Sequence, residues 1–189
     1  NESGQCLAFE PPNYGSVATI GGTIASGLSG PCRPYRGSVR DFVLGVTCVN
    51  GRGESLRFGG QVMKNVAGYD VSRLMVGAMG TLGAILDVSF KVLPMPETEQ
   101  TQVYEVSEEV AIAKINEWAG QSLPLSAACY LKNELRIRLS GTEVGVAAAV
   151  RELGGVQDPE GGRFWWALRE QYLPFFESAQ VLWRLVVPP

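Results

Sequence analysis

The chain holds 189 residues, enough for one large domain or two small ones. Sixteen Lys and Arg against nineteen Asp and Glu leave a net charge of −3, which argues against a nucleic-acid surface of clustered basic residues. With 46% hydrophobic and 19% charged residues it reads as globular, and no apolar run approaches the roughly 18 residues of a membrane span. It has no histidine, so Ser–His and Cys–His nucleophile pairs, a His general base and His metal ligands are absent from this chain.

The cysteines Cys6, Cys32, Cys48 and Cys129 form no CxxC pair and give no zinc or iron–sulfur signal. Two disulfides are arithmetically possible, but nothing marks a small secreted scaffold, so reduced, mostly buried thiols in a cytoplasmic protein are expected. The chain opens on Asn1-Glu2-Ser3-Gly4 and stops at Val187-Pro188-Pro189, inside what reads as a strand and its exit. Ends of this kind predict a piece of a longer protein.

The first informative stretch is residues 17–30, Val-Ala-Thr-Ile-Gly-Gly-Thr-Ile-Ala-Ser-Gly-Leu-Ser-Gly. Its paired glycines let backbone N–H groups approach a ligand without side-chain interference. A helix opening at Thr23–Ser26 would present free N–H groups to an anion such as a pyrophosphate. A tight structural turn explains the same residues equally well, because the stretch is neither a Walker loop nor GxGxxG. Val43–Val49 reads as an apolar strand, Asn50-Gly51-Arg52-Gly53 as a turn and Ser55–Phe58 as the hairpin mate. An amphipathic helix over Tyr69–Val76 runs into a second glycine cluster at residues 77–83, followed by a strand over Ile85–Val92.

Leu93-Pro94-Met95-Pro96-Glu97-Thr98-Glu99-Gln100 forms a seam. Residues 1–94 hold 16 of the 23 glycines and a net +2, whereas residues 95–189 hold all four Trp and a net −5. That contrast sets domains at 1–94 and 95–189. Beyond the seam, Thr101–Val106 alternates like a strand. Ser107 caps a helix with Val110, Ile112, Ile115 and Trp118 roughly on one side, ending at Gly120. Ser126–Leu131 and Leu135–Leu139 form a hairpin. Thr142 caps a helix through Val144, Val146, Ala147, Val150 and Leu153, closed by Gly154-Gly155. A third helix covers about Gly162–Tyr172, and Val181–Val187 is a last strand. The order β-α-β-β-α-(α)-β fits the ferredoxin-like split βαβ plan, which hosts many functions. Arg136 and Arg138 alternate with apolar residues and read as a solvated strand face, with an anion or partner contact as the alternative. The Trp165-Trp166 cluster reads as domain core or an inter-domain contact.

Taken together, four ordered motifs resemble the second part of the FAD-binding domain of the vanillyl-alcohol-oxidase, or PCMH, type. They are Thr19-Ile20-Gly21-Gly22-Thr23-Ile24-Ala25-Ser26, Gly37-Ser38-Val39-Arg40-Asp41-Phe42-Val43-Leu44-Gly45 with its hairpin, Lys64-Asn65-Val66-Ala67-Gly68-Tyr69-Asp70, and Gly80-Thr81-Leu82-Gly83-Ala84-Ile85. Within that family, Leu7-Ala8-Phe9-Glu10-Pro11-Pro12, the stretch from Arg57 to Asp70 and that from Leu168 to Phe176 are most similar to the FAD-binding subunits of bacterial glycolate oxidases.

The resemblance implies an α+β fold, the second part of a PCMH-type FAD-binding domain (1–94) followed by a ferredoxin-like α+β cap domain (95–189). It implies non-covalent FAD, since a His-linked flavin has no residue to attach to. Thr19, Ile20, Gly21 and Gly22 would lie against the pyrophosphate and flavin through backbone N–H groups. Ala25, Ser26 and Gly30 would be the small residues beside the cofactor, with Pro12 preceding the same pocket. Gly37 belongs to the stretch in which Asp41 is structural, and the backbone of Ile85 would meet the adenosine side. Lys64 and Tyr69 have both a pocket-facing and an ordinary packing reading, packing being favoured. The chain departs from many relatives at Gly77-Ala78-Met79-Gly80, where they carry GSEG.

The family's upstream half, with the first pyrophosphate-cradling loop, and its C-terminal segment are missing here, so no complete active site is expected and no general base is assigned. The implied activity is that of an FAD-dependent oxidoreductase subunit. It would oxidise a small 2-hydroxy acid, glycolate to glyoxylate, by hydride transfer to flavin. Its implied partners are a second flavoprotein subunit and an iron–sulfur subunit, with no nucleic acid. The implied location is the cytoplasm, with peripheral attachment to the inner membrane through partners as a second option. A non-catalytic scaffold subunit and an FAD-linked oxidase of another hydroxy acid are the alternatives.

Overall fold

The computed structural model describes residues 3–60, 68–177 and 181–185. The chain divides into two compact units, Asn1–Met95 and Pro96–Pro189.

In the first unit β1 (Gln5–Cys6) is followed by α1 (Ile20–Ser26), α2 (Arg33–Arg36), α3 (Val39–Phe42), β2 (Val43–Val49), β3 (Ser55–Gly59), α4 (Val71–Leu74), β4 (Ala84–Phe90) and β5 (Leu93–Pro94). A three-stranded antiparallel sheet has the order β3-β2-β4, and β1 pairs with β5. The apolar run of β2 is central because Val43, Val46 and Cys48 are buried there against Phe9, Ile24, Phe42 and Met75. In the hairpin turn, the Asn50 side-chain carbonyl accepts from the N–H groups of Arg52 (2.9 Å) and Glu54 (3.1 Å). The helix expected over Tyr69–Val76 shortens to the single turn of α4, capped by the Asp70 carboxylate. Four residues offer too few backbone hydrogen bonds for the longer amphipathic run to persist beside Gly77. Tyr69 stands 98% exposed, outside any packing, and Lys64 lies outside the described residues.

The second unit runs β6 (Thr98–Glu105), α5 (Glu108–Ala119), β7 (Leu125–Leu131), β8 (Glu134–Gly141), α6 (Glu143–Leu153), β9 (Val156–Gln157), α7 (Gly161–Glu170) and α8 (Pro174–Glu177). Its antiparallel sheet has the order β7-β8-β6-β9, the ferredoxin-like arrangement. Ser107 and Thr142 cap α5 and α6 through the N–H groups of Val110 and Gly145. The fourth strand is Val156–Gln157. Val181–Leu185 is irregular and exposed, and residues 186–187 lie outside the described residues. The short turn at Gly154-Gly155 returns the chain to β6 at once, and Asp158 N–H then donates to the Thr101 carbonyl, so the sheet edge is taken before α7 begins.

Two helix faces also differ from the periodicity reading. On α5 the buried stripe is Ala111 and Trp118 with Ile115 half-buried, while Val110 and Ile112 point outward; on α6 it is Val146 and Ala149, and Val144 is exposed. Ala111 with Trp118 on α5 and Ala149 with Val146 on α6 pack on the sheet, and Val110, Ile112 and Val144 lie on the outer face.

The largest departure concerns Arg136 and Arg138. Leu135, Ile137 and Leu139 face α5 and α6 with no exposure. The alternate face is covered as well, by α7. Arg138 is buried, donates from Nε to the Ser126 hydroxyl (2.9 Å) and stacks on Trp165 at 5.4 Å. Arg136 stacks on Phe164 at 4.6 Å and pairs with Glu134 and Asp158. A guanidinium accepts an aromatic lid while keeping in-plane hydrogen bonds, so a strand face that alternates Arg with apolar residues is compatible with burial.

Candidate functional site

Thr19 starts α1. Its extended backbone turns the chain into the helix, and its hydroxyl accepts from Gly22 N–H at 3.1 Å. The helix therefore begins at Ile20, ahead of the Thr23–Ser26 opening read from the residue types, and the paired glycines lie in its first turn. With Gly22 N–H capped, the N–H groups of Ile20 and Gly21 are those without an intrahelical acceptor. Gly27, left-handed at φ 66°, ends the helix.

The second glycine cluster seals that end. Gly77 N–H donates to Ile24 O and Met79 N–H to Ala25 O, both at 2.9 Å. A methyl group on Gly27 would lie 3.1 Å from Gly77 Cα, so the two clusters meet backbone to backbone. At the other end, a methyl group on Gly21 would lie 3.8 Å from the carbonyl oxygen of Ile85.

A groove of about 270 Å³ lies beside α1, lined by the loop Pro12, Asn13, Tyr14, Val17 and Ala18 and by Thr19, Gly22, Thr23, Ser26 and Leu28. Of the residues singled out in the sequence, Pro12, Thr19, Gly22 and Ser26 line it. Ile20, Gly21 and Ala25 share the helix, and Ile85 abuts Gly21. Gly30 sits below, where the chain crosses itself: it is left-handed at φ 77°, and a methyl group there would lie 1.9 Å from Glu10 O. Gly37 is set apart at the junction of α2 and α3. The sequence reading passed over Asn13 and Tyr14, and it placed Val17, Ala18, Thr23 and Leu28 in the informative stretch without naming them as site residues. Tyr14 at φ 48° and Gly15 at φ 116° mark a sharp loop there.

Beside Gly37, the Asp41 carboxylate accepts from Ser38 N–H (2.7 Å) and Ser38 Oγ (2.8 Å). The Ser38 backbone donor above all, helped by its hydroxyl and by the charges of Arg73 and Arg40, holds the Asp41 carboxyl below its ordinary value, against a desolvation effect second in size to that backbone bond. Asp41→Ala should cost about 1 kcal/mol as the loss of a helix-start cap. A carboxyl depressed in the folded state stabilises above its unfolded value and loses that contribution as pH falls. Denaturation midpoints of the variant and the parent, measured from neutral pH downward, should therefore converge below about pH 4. A gap that persists at acid pH would refute the cap.

All four cysteines are free thiols. Among the described residues no cluster of three or more Cys, Asp or Glu is placed to hold a metal, and no helix is long and apolar enough to cross a membrane.

Residues 1–59 match a family model described as an FAD binding domain. Over 186 residues, 98% of this chain, the sequence is 53% identical to glycolate oxidase subunit GlcE of Escherichia coli (strain K12), of which it covers 53%. It is 42% identical over 95 residues to glycolate oxidase subunit GlcD of Bacillus subtilis (strain 168), covering 49% of this chain and 20% of that one. With a D-lactate dehydrogenase of Anaerostipes hadrus it shares 31% identity over 156 residues, 75% of this chain and 33% of that one. The chain thus spans about half the length of the first of these relatives and less of the others. Among solved structures, an alkyldihydroxyacetonephosphate synthase superposes with a TM-score of 0.64 at 15% identity, over 90% of this chain and 39% of that one, a likeness of fold. With its α+β architecture and its glycine-rich helix start, the chain carries in residues 1–59 a stretch of the FAD binding domain family, and over nearly its whole length it is similar to the E. coli subunit.

Proposed function

We propose that this chain is the part of an FAD-binding subunit that holds one face of the cofactor, in an oxidoreductase of glycolate or a closely related 2-hydroxy acid. The observation that carries this reading is the groove beside α1. Its wall is made of Thr19, Gly22, Thr23 and Ser26, all small, along one face of α1. Its volume lies just under the roughly 300–1,000 Å³ of complete small-molecule sites, so it suits a portion of a dinucleotide such as the pyrophosphate. Bound FAD supplies the hydride acceptor, and the protein supplies binding and orientation. Thr19 fixes the first turn through its cap, Gly22 keeps a side chain away from the ligand, and Pro12 and Tyr14 supply the loop side of the groove.

Glycolate is favoured over other hydroxy acids by the 53% identity to the E. coli glycolate oxidase subunit, against 31% to the D-lactate dehydrogenase. Relatives from two organisms are named as glycolate oxidase subunits, which supports assembly with a second flavoprotein subunit. An iron–sulfur subunit as electron exit completes the proposal, on the cytoplasmic side of the membrane.

The test is an absorbance spectrum of the intact protein after FAD is added and the excess removed by desalting, repeated with Gly22→Val. Stoichiometric flavin bands are expected for the parent. Gly22→Val places a branched side chain at the groove wall and should weaken FAD binding at least tenfold, about 1.4 kcal/mol. A colourless parent would overturn flavin binding and favour a scaffold subunit. Turnover of D-lactate in preference to glycolate would overturn the substrate.

A further inference from the structure

We propose that Glu10 is the positioning residue of the α1 groove, clamping the loop that carries one wall to the loop that follows the other. The inference rests on the flavin-binding reading and adds a residue to it.

Two walls must keep a constant separation for a ligand between them to be gripped. One wall starts at Pro12, and the other ends at Leu28. Just outside the groove lining, Glu10 meets residues 29–32. Its N–H donates to Ser29 O at 3.1 Å, and its carboxylate oxygen accepts from Cys32 N–H at 2.9 Å. Gly30 lies between, so close that only a residue without Cβ fits over the Glu10 carbonyl. The Cys32 thiol adds a third tie, donating to Ala8 O at 3.3 Å. Ser29 anchors the patch to the core, its hydroxyl accepting from Val39 N–H at 3.0 Å. The carboxylate reaches this crossing from the Pro12 side and lies two residues from that wall. A charge-assisted bond to a backbone N–H is stronger and shorter than a neutral one, which suits a clamp.

The experiment compares the intact protein with Glu10→Ala, Glu10→Gln and Glu10→Asp, using FAD titration by flavin fluorescence and amide hydrogen exchange at Cys32 without FAD. Glutamine keeps a side-chain oxygen at the same reach, whereas aspartate keeps the charge and falls one methylene short. Glu10→Ala should bind FAD about tenfold more weakly and exchange the Cys32 amide faster. Glu10→Asp should behave in the same direction, which serves if the alanine variant does not fold. Glu10→Gln should stay within about threefold of the parent. Unchanged exchange and affinity in Glu10→Ala and Glu10→Asp would overturn the clamp. A glutamine variant as weak as the alanine one, with normal Cys32 exchange, would overturn it too, because the charge would then act on the ligand directly. A parent that takes up no FAD sinks the flavin reading by itself, while the exchange comparison still decides the clamp.

Discussion

Gly30→Ala is expected to destabilise the first unit by about 4 kcal/mol. The added methyl would stand 1.9 Å from the Glu10 carbonyl oxygen and 2.8 Å from its carbon, both backbone atoms that no rotamer change can move. A left-handed φ of 77° adds roughly 1–2 kcal/mol for any residue with a Cβ. Separating the strands of the crossing would break the Glu10–Ser29 and Cys32–Glu10 hydrogen bonds, at about 1 kcal/mol each. Against a total stability of about 5–15 kcal/mol, such a loss leaves little margin. Urea denaturation reads it directly. A loss below about 1 kcal/mol would mean that the crossing relaxes freely and that Gly30 is needed for something other than space.

Trp165→Ala should cost the second unit about 3–5 kcal/mol, the range for removing a buried aromatic ring. Trp165 is 3% exposed, donates from Nε1 to Thr101 Oγ1 at 2.9 Å, meets Phe164 edge-on at 5.1 Å and roofs the buried Arg138. Its loss leaves a cavity, an unpaired hydroxyl and a guanidinium stripped of its cover. The neighbouring Trp166 is 48% exposed and touches Tyr172 at the rim, so Trp166→Ala should cost under about 1 kcal/mol. Far-UV circular dichroism during denaturation of both variants separates them. Equal losses would refute the assignment of α7 as the lid of the arginine face.

Much of this architecture was legible because it is written in local chemistry. Ser107 and Thr142 are helix caps wherever they precede such runs, and both helices start there. The hairpins at Asn50–Gly53 and at Lys132-Asn133 follow from residues that tolerate left-handed or tight backbone. The glycine clusters announced close backbone approach, but not to what. Residues 77–79 turn out to contact the end of α1, and Gly21 the carbonyl of Ile85, whereas Gly30 contacts Glu10.

From the sequence by itself come the α+β class, the caps, the hairpins, the lack of histidine chemistry and the family's motifs, because each depends on residues within a few positions of one another. Which strand closes the second sheet, that Arg136 and Arg138 are roofed by Phe164 and Trp165, and that Glu10 reaches Cys32 were decided by tertiary structure alone. The physical reason is the same in each case. Alternating polarity tells which side of a strand is apolar, but not whether an aromatic helix will later cover the other side. A single glutamate between Phe9 and Pro11 carries no local sign of the backbone N–H, twenty-two residues away, that will claim it.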